Sequence, residues 1–128
     1  MFKSTGVFSG FSVDNLEKAK KFYSEILQLQ VTEIDEMPVL QLAISDEANV
    51  MIYEKPNHEP ATFTILNFQV FDVEEAVKDL KSAGVSFESY DYPGLKTDED
   101  NISRGNGGPS IAWFKDPAGN ILSVLEEE

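Results

Sequence analysis

The feature that most constrains this chain is an internal repeat. Residues 11–21 align without gaps on residues 68–78: Phe11 falls on Phe68, Val13 on Val70, Glu17 on Glu74, Ala19 on Ala76 and Lys21 on Lys78. Asn15 stands opposite Asp72. Self-similarity of this kind means that one supersecondary unit is built twice, which removes most architectures before any element is assigned.

Each copy reads as a strand running directly into a helix. Alternating residues come first, then apolar positions three and four apart behind a side chain able to cap free N–H groups. Asn15 and Asp72 are the expected caps. Leu16, Ala19, Phe22, Tyr23, Ile26 and Leu27 form the apolar stripe of the first helix, and Val73, Ala76, Val77 and Leu80 that of the second. Gly84 is placed to end the second helix. Short β-rich runs follow in each half: 30–35, 39–44 and 50–54, then 85–90, 110–114 and 121–125, separated by turn residues that include 46–49 and Asp116-Pro117-Ala118-Gly119-Asn120. The expected fold is therefore α+β, with two βαβββ modules over residues of about 6–55 and 62–126.

At 128 residues the chain fits one domain, 1–128, made of tandem modules 1–57 and 58–128. The joining segment, 55–61, is short and bounded by Pro56 and Pro60, so the modules are expected to pack together. Residues 94–108 are polar and glycine-rich and read as a loop outside the core. A lid over a cleft and an inconsequential insertion both fit that composition.

The sequence contains no cysteine, so disulfides, thiolate metal sites and a cysteine nucleophile are excluded. The absence of cysteine suits a reducing cytosol, and neither a membrane-length apolar run nor a secretory start is seen, so a cytoplasmic protein is expected. The net charge of −13 disfavours nucleic acid and anionic membrane surfaces as partners. Solubility is the favoured explanation of that charge, ahead of recognition of a cationic ligand.

The segments "SVDNLEKAKKFYSEILQLQV" and "IAWFKDPAGNILSVLE", set in two βαβββ halves, resemble the vicinal oxygen chelate superfamily, which includes glyoxalases, bleomycin-resistance proteins and dioxygenases. The resemblance spans essentially the whole chain. It implies curved sheets enclosing a cleft where ligand binds, and in the family's enzymes a divalent ion held there by His or Gln, Glu, His and Glu side chains. Carried over position by position, those ligands fall at Phe8, Met51, Ile65 and Ser123, a set that cannot hold a hard or borderline cation. Neither metal nor cofactor is therefore expected. Glu54 could restore one ligand if the register slipped. His58 reads as a solvated residue of the joining segment, too isolated for a Ser-His-Asp set.

Alternation along the strands gives the cleft face implied by those positions. Phe8, Gly10 and Ser12 fall there on the first strand, Met51 and Tyr53 on the fourth, Ile65, Asn67 and Gln69 on the fifth, and Ile121, Ser123 and Leu125 on the last. Val7, Phe11, Val13, Leu66, Phe68, Val70, Leu122 and Val124 then face the helices. Gly10 leaves room for close approach of a ligand. Asn67 and Gln69 are either ligand-binding amides or solvated at the cleft mouth. Trp113, opposite in facing to Phe114, is assigned to the ligand side, with plain packing as its alternative. Arg104 either clamps an anionic group or is solvated.

The expected function is binding of a small organic molecule at Phe8, Gly10, Met51, Tyr53, Ile65, Asn67, Gln69, Trp113 and Ser123. The alternative is an enzyme of the lactoylglutathione lyase type, or another family enzyme, with an atypical or metal-free site. Exposed strand edges also permit a homodimer.

Overall fold

A computed structural model of the chain describes residues 2–44, 49–104 and 108–126. They divide into two compact units, Met1–Glu59 and Pro60–Glu128, so the division falls inside the proline-bounded joining segment. The expected turn residues 46–48 and the glycine-rich stretch 105–107 lie outside the described residues.

The first unit opens with β1 (Ser9–Val13), which runs through the Asn15 cap into α1 (Leu16–Lys21). Asn15 accepts the Lys18 N–H at 3.0 Å, as its alignment with Asp72 requires. The helix then widens into a π-helical turn, Phe22–Ile26, where a regular helix through Leu27 was expected. Here the Ser24 hydroxyl donates to the Lys20 carbonyl, a side-chain bond that competes with the regular ladder. Strands β2 (Gln30–Glu33), β3 (Val39–Ala43) and β4 (Asn49–Glu54) complete a sheet in the order β1-β4-β3-β2, with β1 parallel to β4. Val13, Leu40, Leu42, Val50 and Ile52 pack on one side of it with Ala19 and Tyr23 of the helical segment. Val7 does not join this core: it precedes the first paired residue and is 96% exposed.

The second unit repeats the scheme. Strand β5 (Thr64–Val70) leads into α2 (Val73–Ser82), whose Asp72 cap accepts the Glu75 N–H at 3.2 Å and whose end is followed by Gly84 at φ +98°. After a small hairpin of β6 (Asp91–Tyr92) and β7 (Leu95–Lys96) come β8 (Ile111–Lys115) and β9 (Ile121–Glu126). The sheet order is β5-β9-β8, with β5 parallel to β9. The strand expected over 85–90 is reduced to a single bridge between Phe87 and Phe114, which occupies the place beside β8 that β2 takes beside β3. The ladder stops because Tyr90 turns its backbone elsewhere. Its carbonyl accepts the Thr97 N–H and its N–H donates to the Thr97 hydroxyl, so neither group reaches β8.

The polar stretch after β7 also departs from expectation. Ile102 is only 1% exposed and Ser103 bridges Ile111, so part of this segment belongs to the core. One buried isoleucine anchors it, and Asp98 satisfies the backbone around the anchor by accepting the N–H groups of Asp100 and Ile102. Among the described residues no helix is long and apolar enough to cross a membrane. The result is the α+β architecture read from the repeat, with small sheets and two helices.

Candidate functional site

Each sheet has one face against its helix and one free of it. In the second unit Leu122, Val124, Ala112 and Phe114 are the buried, helix-side residues, so alternation assigns Asn67, Ser123 and Trp113 to the other face. These three are direct cross-strand neighbours: Asn67 pairs with Ser123, and Ser123 with Trp113. The Ser123 hydroxyl donates to Oδ1 of Asn67 at 2.7 Å, and Ser123 is fully buried.

Trp113 has its indole Nε1 3.2 Å from Oγ1 of Thr64, to which it donates. Because β9 lies between β8 and β5, the indole must reach across β9 to make that bond. Its ring also meets Tyr90 edge-on at 5.3 Å, and Tyr90 is followed by Tyr92 at 6.2 Å. Burial, the Glu88 carboxylate and Tyr92 raise the Tyr90 phenol above its ordinary pKa, which keeps it neutral. An aromatic run therefore extends from the sheet toward the exposed Tyr92. Thr64 was missed by sequence reasoning because a register break between Thr64 and Leu66 brings it level with Ile121, while Ile65 sits at the break itself. Gln69 is exposed and pairs with Leu125.

In the first unit the face away from the helix carries Gly10 opposite Met51 and Ser12 opposite Tyr53, with Gln41 and Val39 continuing those rows on β3. Phe8 lies just before β1 and is 70% exposed; Tyr53 is 43% exposed. A methyl group on Gly10 would come within 3.3 Å of the Met51 carbonyl, so the missing side chain relieves its own strand partner.

His58 does not sit as a bare linker residue. Its Nδ1 is 2.6 Å from Oγ of Ser12, and its backbone N–H donates to the Lys55 carbonyl. A histidine in a proline-bounded segment gives no local signal for a partner so far back in the chain. Arg104 is likewise engaged: it forms ion pairs with Asp98 at 2.9 Å and with Glu74 at 2.8 Å, joining the segment after β7 to α2. Burial opposes ionisation of Asp98, but bonds from the Ile102 N–H, Arg104 and the Asp100 N–H outweigh it and lower its pKa.

The family's metal needs carboxylate or imidazole donors that the carried-over positions lack. Ser123, at the last carried-over position, spends its hydroxyl on Asn67, and Met51 and Phe8 offer no hard donor. Glu54 accepts the Leu16 N–H at the start of α1 and so is not turned to that role. Among the described residues no three of the His, Asp and Glu side chains are grouped as a metal site would need. The residues present do not fit the ion.

Comparison with known proteins agrees with this fold. A search of curated proteins found no match. Among solved structures, an integron cassette protein, HFX_CASS4, from the mobile metagenome of Halifax Harbour sewage outfall is 24% identical, with a TM-score of 0.71 over 97% of this chain and 100% of that one. The fosfomycin resistance protein FosX of Listeria monocytogenes is 15% identical, with a TM-score of 0.71 over 99% and 96%. TnmS3, an antibiotic binding protein from Streptomyces sp. CB03234, is 20% identical, with a TM-score of 0.68 over 99% and 100%. The family model of the Glyoxalase/Bleomycin resistance protein/Dioxygenase superfamily matches residues 8–124, and the chain belongs to that superfamily.

Proposed function

We propose that this protein binds a small organic molecule on the helix-free faces of its sheets, without the metal ion of the family's enzymes. The observation that carries the reading is the row Asn67-Ser123-Trp113. Where the family's last ligand would stand, a buried hydroxyl holds an amide beside a pinned indole. An aromatic surface with a few neutral hydrogen-bonding groups is the composition of small-molecule sites. The fold itself does not choose, since its neighbours include both a fosfomycin resistance protein and an antibiotic binding protein. The reading extends to a cytoplasmic single domain of tandem modules, free to pair as a homodimer through its strand edges.

A thermal-shift screen of metabolites and antibiotics tests it, because a ligand that binds only the folded form raises the melting temperature by mass action. Hits whose shift disappears in Asn67→Ala or Tyr53→Ala support the reading. Stoichiometric zinc, nickel, iron or manganese in the purified protein, lost when Ser123 or Met51 is changed, overturns it.

One observation favours a second, catalytic reading. The Ser12–His58 contact supplies a polar pair, with a candidate general base, on the first sheet's helix-free side. Turnover of methylglyoxal with glutathione that survives chelators and is lost in His58→Ala would establish it.

A further inference from the structure

We infer that Ser123 is a positioning residue that fixes the Asn67 amide with its NH2 group outward, and that this face therefore selects planar ring ligands bearing a neutral oxygen acceptor. The inference rests on the binding reading above and deepens it. An asparagine amide has an accepting side and a donating side, and rotation by half a turn exchanges them. Left to solvent, Asn67 would present either. The buried Ser123 hydroxyl donates to Oδ1 at 2.7 Å, and in that arrangement the two N–H donors face away from Ser123.

What lies beside those donors defines the rest of the ligand. Asn67 and Trp113 flank Ser123 on neighbouring strands, so their Cα atoms are about 10 Å apart, twice the inter-strand spacing. The indole Nε1 is already bonded to Thr64, so Trp113 offers ring surface and no further polar atom. Tyr90 holds the indole from its edge and limits its rotation. A flat ring laid against this aromatic surface can direct an oxygen at the Asn67 donors.

Charge on the ligand is disfavoured. The rows on either side of the central one contain Gln69, Leu125 and Ile111, and Thr64, Ile121 and Lys115. Lys115 alone of these carries charge, and its ammonium lies 3.5 Å from Glu88. A carboxylate or phosphate would find no uncommitted cation in these rows, whereas a ketone or amide oxygen asks only for the N–H donors.

Trp113 is the sole tryptophan, so its fluorescence reports on this face directly. The probes are 9-fluorenone and fluorene, which share one flat skeleton and differ in a carbonyl. Quenching titrations of the full chain should show fluorenone binding about 5- to 10-fold tighter than fluorene, the scale of one net hydrogen bond. Asn67→Asp, which keeps an acceptor for Ser123 but removes both donors, should abolish the preference. Ser123→Ala should shrink the preference at least twofold, weakening fluorenone more than fluorene, which a merely structural role would not produce. Equal binding of the two probes by the native protein, or equal weakening of both in Ser123→Ala, overturns the inference and leaves the binding reading standing. Failure of both probes to bind, with no hit in the thermal-shift screen, removes the two together.

Discussion

Oε1 of Glu54 accepts the backbone N–H of Leu16 at 2.9 Å, linking the end of β4 to the first residue of α1. The same bond recurs in the second unit, where Oε1 of Glu126 accepts the Val73 N–H at 3.3 Å. The register explains the recurrence: Val13 pairs with Glu54 and Val70 with Glu126, so each carboxylate lies beside the strand that leads into a helix. A negative group at that end satisfies a free N–H and complements the helix dipole. Glu54→Ala and Glu126→Ala should each cost about 1 kcal/mol, the usual worth of a cap. Urea unfolding measures it; wild-type midpoints in both variants would show these contacts to be idle.

Much of this architecture was legible because it repeats. Caps at Asn15 and Asp72 stand three residues before the N–H groups they accept, so a local pattern finds them. Glu54 and Glu126 were not legible as caps, since their partners are 38 and 53 residues away and only strand pairing unites them. The same distance hid the meeting of Ser12 with His58. The helix-side faces of β1, β5 and β9 followed from alternation, which fails where pairing does: at Val7, ahead of the ladder, and at the Thr64/Leu66 break. Ile102 was misjudged because its neighbours are polar, whereas burial of one side chain depends on what closes over it.

The Asp98–Arg104 pair makes a pH prediction. The native pKa of Asp98 is lowered, so its contribution to stability is complete well above 3.8, the ordinary value the group has when unfolded. That contribution is lost as pH falls through the depressed native value, because protonation removes the acceptor of the Ile102, Asp100 and Arg104 donors. Melting temperatures of wild type and Asp98→Asn should therefore differ at neutral pH and converge as the pH is taken below the ordinary aspartate value and through the depressed native one. A constant gap across the range would remove the carboxylate from this role.

Gly119 occupies a backbone position that other residues resist. Its φ is +87°, in the turn where Asp116 accepts the Gly119 N–H and donates its own to the Asn120 carbonyl, and a Cβ there would lie 3.2 Å from Cγ of Pro60. Gly119→Ala should destabilise the protein by at least about 1–2 kcal/mol, the penalty of left-handed backbone, with the proline contact adding to it. Gly6, whose φ is not positive and where an added methyl would meet nothing within 4 Å, serves as the comparison: Gly6→Ala should be close to neutral. Equal costs at the two sites in chemical denaturation would contradict the turn argument.

The 2.6 Å contact between His58 and Ser12 fastens the segment after β4 onto the first strand, and both residues are partly shielded from solvent. A hydrogen bond in such a place contributes about 1 kcal/mol net, and the two side chains should lose that energy jointly. In a double-mutant cycle Ser12→Ala and His58→Ala should each destabilise the protein, while the pair should cost less than the sum by about 0.5–1.5 kcal/mol. Simple additivity would mean that the two merely lie close. The outcome also bears on the catalytic reading, since a base that is not coupled to its hydroxyl cannot polarise it. Coupling in the stability cycle with no effect of either change on turnover would leave the pair as a clasp, holding the joining segment against β1.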